Sequence, residues 1–222
     1  YQMELIGIMV SFFGFYRQIA LIIKKDTEKQ NIGFMTDLCS GSGYPAMYVY
    51  DQLNKPHIKM TLTDKFPQQV PLTPGIVYHD RPTDMLDLEP DQQTYYTLFN
   101  AFHHFEKREQ KQLIQKIMDR NCHLMIVEIV QSTLLNVISV TLASTLGVWL
   151  LCPLVRPFEY KRILFTYLVP INVLTVLIDG YISILKSRSV HQYKKDIFYM
   201  FGNTDRIQVS SLWSFPVSLV TI

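Results

Sequence analysis

The chain has 222 residues, of which 48% are hydrophobic, 13% aromatic and 18% charged, and its formal net charge is +2. A chain of this length can bury a full core, and its aromatic content excludes a disordered protein. The basic residues are scattered, so the concentrated positive patch that nucleic-acid binding needs is missing from the sequence. We therefore expect no nucleic-acid partner.

Three cysteines lie far apart, at positions 39, 122 and 152, with no CxxC pair among them. They predict neither a disulfide framework nor a zinc site, so we expect no bound metal and a reducing, cytoplasmic environment. The first residues, YQMELIGIMVSFF, are apolar but lack the basic start of a secretory signal.

The hydrophobic pattern predicts helices that alternate with strands. An N-terminal helical segment covers 1–30, with a helix over 1–25 that runs into a polar linker over 24–31. Over 31–131 we predict strands at 32–39, 58–64, 75–80, 95–102 and 123–130, a helix after the glycines that carries Met47, Val49 and Leu53, and an amphipathic helix at 106–120. Such alternation at short spacing predicts an α/β core with a parallel sheet covered by helices.

Two apolar stretches follow the fifth strand. Residues 132–152 carry no charge, and 163–185 are interrupted only by Pro170 and Asp179, so each approaches the ~20 residues of a membrane-spanning helix. We expect 132–190 to be an apolar helical insertion. The sequence leaves open whether it caps the site, forms a homodimer interface, makes a peripheral membrane contact through 132–185 or spans the membrane twice.

The tail, 191–222, is aromatic and β-branched with a Gly-Asn turn signal. It predicts two closing strands of the core sheet, at IFYMF and VSLVTI.

The stretch MTDLCSGSGYPA, at 35–46, predicts a ligand site between the first strand and the next helix. Gly41 and Gly43 let the backbone approach a ligand closely, and Pro45 suits the first turn of a helix. Gly41-x-Gly43-x-x-Ala46 also satisfies the dinucleotide fingerprint, which would make the protein an NAD-dependent oxidoreductase. Asp37 argues against that alternative, because a carboxylate ahead of the glycines repels a pyrophosphate and suits a cationic ligand.

The order of these motifs resembles class I S-adenosylmethionine (SAM)-dependent methyltransferases. DLCSGSG followed by LTD at the end of the second strand is similar to that family's cofactor signature, although the family more often has glycine in place of Cys39. YHDRPTDMLDL, YTLFNAFHHF and IVEIVQST resemble the loops after its third, fourth and fifth strands. The layout also looks like a bacterial group with an apolar insert after strand five.

The resemblance implies a Rossmann-like fold, a mostly parallel seven-stranded sheet whose last strand is antiparallel, and SAM as the cofactor. Asp37 and the glycine turn would face its methionine end, Asp64 its ribose hydroxyls, and Asp84 with Met85 its adenine. Asp64 also lies near the ~20-residue spacing of a ribose-binding acid. The full set of cofactor contacts implied in this way is Asp37, Cys39, Ser40, Gly41, Gly43, Asp64, Lys65, Asp84, Met85 and Asn100.

His103, His104 and Glu128 are the candidate catalytic residues. A histidine beside the transferred methyl group could deprotonate an acceptor hydroxyl or amine near neutral pH. The alternative is that the FHHF sequence is a packing feature, with one ring bonded to the backbone. Glu128 and Asp179 lie in apolar sequence, where a carboxylate must be paired or used, so each could be a base, bind an amine or satisfy a nearby donor.

The sequence therefore predicts a methyltransferase that moves a methyl group from SAM to a small or lipidic, hydrophobic acceptor. The alternatives are an NAD-dependent oxidoreductase and a membrane-associated binding protein without catalysis. We expect the protein in the cytoplasm, either free or peripheral to a membrane.

Overall fold

A computed structural model describes residues 14–55, 57–155, 158–214 and 217–222. These residues form a seven-stranded sheet in the order β3-β2-β1-β4-β5-β7-β6. The strands are β1 (Phe34–Leu38), β2 (Lys59–Leu62), β3 (Ile76–Tyr78), β4 (Thr94–Phe99), β5 (His123–Glu128), β6 (Ser210–Ser214) and β7 (Val217–Thr221).

The first five strands are parallel, and β7 runs antiparallel to both β5 and β6. All six residues of β4 are buried, as expected for a central strand with helices on both faces. The predicted Rossmann-like sheet, with its last strand antiparallel, is confirmed. Because β1 and β4 are central neighbours in the sheet, the loops after them meet at the middle of its carboxyl edge.

The helices that cover the sheet are α1 (Arg17–Gln30), α2 (Tyr44–Leu53), α3 (Lys107–Asp119) and α7 (Val190–Phe201). The predicted linker over 24–31 is wrong, because α1 continues to Gln30 and ends at Asn31, whose φ of 53° is left-handed. Its polar residues lie on the exposed face of an amphipathic helix, while Ile23 and Thr27 face the core. Most of the helix predicted over 1–25 lies outside the described residues.

The predicted strand at IFYMF is also wrong, because these residues form the end of α7. Ser189 caps this helix in a reciprocal pair with Gln192, and Tyr193 and Ile197 are buried four residues apart. The segment 191–222 therefore contributes a helix as well as closing strands. The sixth strand lies further on, at Ser210–Ser214, and VSLVTI forms β7 as predicted.

Between β5 and α7 the chain forms three apolar helices, α4 (Leu134–Leu154), α5 (Tyr160–Leu168) and α6 (Ile171–Lys186). We call the segment Leu134–Lys186 the apolar hairpin. In the described part of the chain, α4 is long and apolar enough to cross a membrane, and α5 with α6 form a second candidate that is bent by 73°. Helix α4 packs along α6, and α6 also contacts the turn Phe102–His104.

Candidate cofactor and catalytic site

The glycine turn leaves β1 with an unusual backbone. Cys39, Gly41 and Gly43 all have a positive φ, of 55°, 52° and 71°. Cys39 therefore occupies a conformation that favours glycine, which gives a physical reason for the family's preference there. At Gly43 a Cβ would lie 2.6 Å from Cδ1 of Leu62, so the turn packs closely against β2.

Asp64 connects the end of β2 to this turn. One of its carboxylate oxygens accepts the backbone N–H of Gly41 at 2.8 Å, and the other accepts that of Phe66 at 2.8 Å. The Tyr78 hydroxyl donates to the Gly41 carbonyl at 2.7 Å. Asp64 thus holds the turn in place, and its oxygens keep lone pairs beyond those used in these two bonds.

Asp37 lies at the end of β1 and is only 2% exposed. Its Oδ1 accepts a hydrogen bond from the Thr97 hydroxyl at 2.7 Å, and the Ser40 hydroxyl donates to its backbone carbonyl. Burial raises the pKa of the Asp37 carboxyl to about 7, against the effect of hydrogen bonds from Thr97 and Ser40. The charge of Asp64 raises it further.

The same carboxylates act on Cys39. Burial, followed by the charges of Asp64, Asp37 and Asp84, raises the pKa of the Cys39 thiol to about 12. Asp84 is paired with Lys65, which leaves Asp37 and Asp64 as the carboxylates beside the turn that have no cationic partner in the bonds described above. The cleft therefore favours a positively charged ligand.

Asp84 and Met85 follow β3. Asp84 accepts the Leu86 N–H at 3.0 Å and the Lys65 ammonium at 3.0 Å. The backbone bond to Leu86, together with Lys65, lowers the pKa of the Asp84 carboxyl. Met85 is 3% exposed and belongs to the core cluster that contains Leu38.

Asn100 follows β4 with a φ of 54°. Its amide nitrogen donates to the Tyr16 hydroxyl at 2.6 Å, and its oxygen accepts the Ile129 N–H at 3.0 Å. Asn100 therefore ties α1 and the end of β5 to the loop after β4. A cofactor contact at Asn100 stays a prediction.

His103 and Glu128 form a buried pair at the ends of β4 and β5. Glu128 is fully buried, and its Oε2 lies 2.5 Å from Nδ1 of His103. Its Oε1 accepts the Phe102 N–H at 2.8 Å, so the carboxylate also shapes the turn that carries the histidine. A carboxylate can only accept, so in a neutral His103 ring bonded to it the hydrogen lies on Nδ1 and the lone pair on Nε2. That Nε2 is buried without a hydrogen-bond partner.

His104 lies on the exposed side of this pair, with its ring centroid 4.1 Å from that of His103. Burial, followed by the charges of His103 and Lys186, lowers the pKa of the His104 ring. Glu128 and Asp179 oppose that shift. Asp179 and Lys186 both belong to α6, so the end of the apolar hairpin borders the histidine turn.

Gln110, on α3, bonds to two backbone carbonyls of that turn. Its amide nitrogen donates to the carbonyls of Phe102 at 2.8 Å and Phe105 at 3.0 Å, and its oxygen accepts Arg188 at 3.0 Å. We did not predict a site role for Gln110. The sequence did contain a sign of this role, since Gln110 is a polar residue on the apolar face of α3, one turn before Leu113.

The sequence-predicted residues thus come together at the carboxyl edge. The glycine turn, Asp64 and Asp37 form one group, and His103, His104 and Glu128 form a second beside it. A cavity of about 550 Å³ lies elsewhere, against the amino-terminal ends of β4 and β5. Sheets of this type bind ligands at the carboxyl edge, so that cavity is not the candidate site. Among the described residues, no group of three or more His, Cys, Asp or Glu side chains could hold a metal ion.

Comparison with solved structures places this fold among known methyltransferases. The chain is similar to the plantazolicin methyltransferase BpumL in complex with a pentazolic desmethylPZN analog and SAH, with 10% identity, a TM-score of 0.55, and coverage of 98% of this chain and 88% of that one. It is also similar to human N-acetylserotonin methyltransferase in complex with SAM, with 13% identity and a TM-score of 0.48. That match covers 98% of this chain and 58% of the human one, so the chain spans little more than half of that protein's length.

No family model and no curated protein sequence matches the chain. The chain has the fold of class I SAM-dependent methyltransferases. This confirms the fold that the sequence motifs implied.

Proposed function

We propose that the protein is a SAM-dependent methyltransferase that acts on a small or lipidic, hydrophobic acceptor. The observation that carries this proposal is the acidic cleft at the glycine turn, where Asp37 and Asp64 lie at the ends of neighbouring strands beside a turn of left-handed backbone. A sulfonium cation is compensated by such a cleft, whereas the pyrophosphate of NAD is repelled.

The residues at the glycine turn fit the cofactor. The turn presents backbone rather than side chains, and the Ser42 hydroxyl beside Gly41 and Gly43 is buried without a hydrogen-bond partner. Asp64 would accept the ribose hydroxyls through its remaining lone pairs, and Asp37 would lie towards the charged methionine end. Asp84, with Lys65 and Met85, would border the base. When bound there, the cofactor supplies a methyl group on a positively charged sulfur.

His103 is the group we propose as general base. Glu128 fixes the hydrogen on Nδ1, so Nε2 is free to take the proton of an acceptor O–H or N–H group as the bond to the methyl carbon forms. The cofactor held by the glycine turn and Asp64 would supply the methyl group, and its sulfur would keep the electron pair of the sulfur–methyl bond. Most of the rate would come from holding donor and acceptor in line, with the base adding ~10²–10⁴-fold.

The acceptor class is inferred from the surface that borders the histidine turn. Helix α6 contacts the turn, the charges of Asp179 and Lys186 act on the His104 ring, and α6 continues into the rest of the apolar hairpin. An acceptor that arrives along this surface meets apolar side chains before it meets the histidines. This favours a hydrophobic molecule with one hydroxyl or amine.

The first test is the ligand. Calorimetry of the purified full chain should show binding of S-adenosylhomocysteine (SAH) and none of NADH, and the reverse result would establish the oxidoreductase alternative. Incubation with methyl-labelled SAM and a lipid and metabolite extract, followed by mass spectrometry, then identifies the acceptor. Binding of SAH without any labelled product from a lipid-rich extract would favour the non-catalytic binding protein.

The second test separates the base from the cofactor site. His103→Ala should lower labelled product by about 100-fold or more while SAH affinity stays within about twofold, because the base acts only on the acceptor. Glu128→Gln should lower it by a similar factor, because an amide oxygen that still accepts the Phe102 N–H turns the amide NH2 towards Nδ1, which moves the ring hydrogen to Nε2. His191→Ala is the matched control, because His191 is exposed on α7. Full transfer by the His103 variant would exclude this base.

A further inference from the structure

The outer surface of the apolar hairpin carries large apolar side chains on all three of its helices. In the most apolar window of α4, only 17% of residues are buried inside the protein. Exposed fractions reach 77% at Leu134, 74% at Leu150, 75% at Leu168 and 84% at Leu185. A water-soluble protein seldom exposes so much contiguous apolar surface.

Several polar side chains of the hairpin bond to one another between its helices, although Thr175 and Asp179 are exposed. The Thr141 hydroxyl bonds with that of Tyr181 across the helix pair at 2.8 Å. Asn172 donates to the Thr166 hydroxyl at 3.1 Å, and Thr166 also accepts the Cys152 thiol. These groups lie between helices, where they satisfy one another.

Other hydroxyls in the hairpin bond back to their own helix. Thr145 donates to the Thr141 carbonyl at 2.7 Å, and Thr175 donates to the Ile171 carbonyl at 2.7 Å. Helices α4 and α6 approach so closely that a Cβ on Gly180 would lie 2.5 Å from Val140. Small residues at the contact and polar groups satisfied without water are what hydrocarbon surroundings require.

The length of α4 and the positions of the charged residues also agree with hydrocarbon surroundings for the hairpin. Helix α4 has 21 residues, which at 1.5 Å each extend ~31 Å, close to the ~30 Å of a hydrocarbon core. Charges cluster at the two ends of the hairpin, with Glu159 and Lys161 at its tip and Lys186 at its base. Asp179 is the exception: it lies near the middle of α6 and is exposed, and its charge opposes the lowering of the His104 pKa.

We propose that the apolar hairpin is embedded in a lipid bilayer, with the α/β core held at the membrane surface. A second copy of the chain would cover one face, but exposed apolar side chains occur on α4, α5 and α6 and point away from the shared polar interior. The hydrocarbon of a bilayer, by contrast, can cover the exposed apolar side chains of all three helices at once. This proposal does not depend on methyl transfer.

The chain's two tryptophans supply a matched test. Trp149 lies on α4 with 49% exposure, and Trp213 lies on β6 with 56% exposure. The full chain is reconstituted into vesicles of phosphatidylcholine and phosphatidylglycerol whose acyl chains carry bromine, which quenches nearby indoles. Trp213→Phe, which keeps Trp149, should lose most of its fluorescence relative to vesicles without bromine. Trp149→Phe, which keeps Trp213, should keep its fluorescence.

Equal, weak quenching of the two variants would overturn the proposal, and so would a chain that stays soluble as a dimer without vesicles. A second measurement guards against misfolded protein. Ile138→Glu, Leu146→Glu and Leu150→Glu together should abolish flotation with the vesicles, since these α4 side chains are 51%, 54% and 74% exposed. The matched control changes Leu21, Leu72 and Val77 to Glu, at 61%, 42% and 62% exposure outside the hairpin, and should float as the unchanged chain does.

Discussion

Asp37 makes the acidic cleft testable through pH. Its carboxyl has a pKa raised to about 7, so in the free protein it is mostly neutral below that pH and mostly charged above it. A sulfonium cation favours the charged form, so affinity for SAM should be lost as pH falls through about 7. The ionised fraction grows from ~10% at about pH 6 to ~90% at about pH 8, which predicts about a tenfold gain in affinity over that range.

The assay is calorimetry with SAM and with SAH at several pH values. SAH shares the amino acid and nucleoside of SAM but lacks the positive charge, so the ratio of the two affinities isolates the cation. Asp37→Asn keeps the shape and the acceptor for Thr97, and its ratio should stay constant with pH. Asp80→Asn, at an exposed carboxyl, should behave as the unchanged chain. A ratio that is flat in the unchanged chain would refute the reasoning.

Three further predictions concern the frame of the site. Asp64→Ala removes the acceptor of two backbone N–H groups, and we expect SAH affinity to fall by ~1–3 kcal/mol in calorimetry; an unchanged affinity would contradict its role. Gly43→Ala should lower the free energy of unfolding by ~1–3 kcal/mol in urea, because of its φ of 71° and the contact with Leu62. Gly33→Ala, whose Cβ would meet nothing within 4 Å, should change that energy by less than ~0.5 kcal/mol. Gln110→Leu leaves two loop carbonyls without their donor, so the free energy of unfolding should fall by ~1–3 kcal/mol in urea. The rate of methyl transfer should fall as well. A variant with normal transfer would show that the turn keeps its conformation without Gln110.

The sheet and its glycine turn were predictable because their signals are local. Each of the first five strands is a short apolar run, and Asp37, Gly41 and Asp64 sit where strands end. The error at IFYMF has a local cause too, since an apolar aromatic run fits either a strand or a helix. The Ser189 cap, which decides for the helix, lies just upstream.

The partners of the site residues were not predictable in the same way. His103 and Glu128 are 25 residues apart, and their contact depends on β4 and β5 being neighbours and on the side-chain rotamers. Asn100 satisfies both of its polar groups against α1 and β5, which no sequence spacing reveals. The outward direction of the hairpin's leucines is likewise a property of packing, because the same composition would serve a buried helix.

The bond between Gln110 and Arg188 joins the histidine turn to the chain that leaves the apolar hairpin. Arg188 lies two residues past the end of α6, and Gln110 fixes the carbonyls on either side of the paired histidines. A tilt of the hairpin therefore alters the placement of the imidazole that we assign to proton transfer. With the hairpin embedded in lipid as we propose, turnover would vary with the thickness and composition of the bilayer, even for an acceptor that dissolves in water.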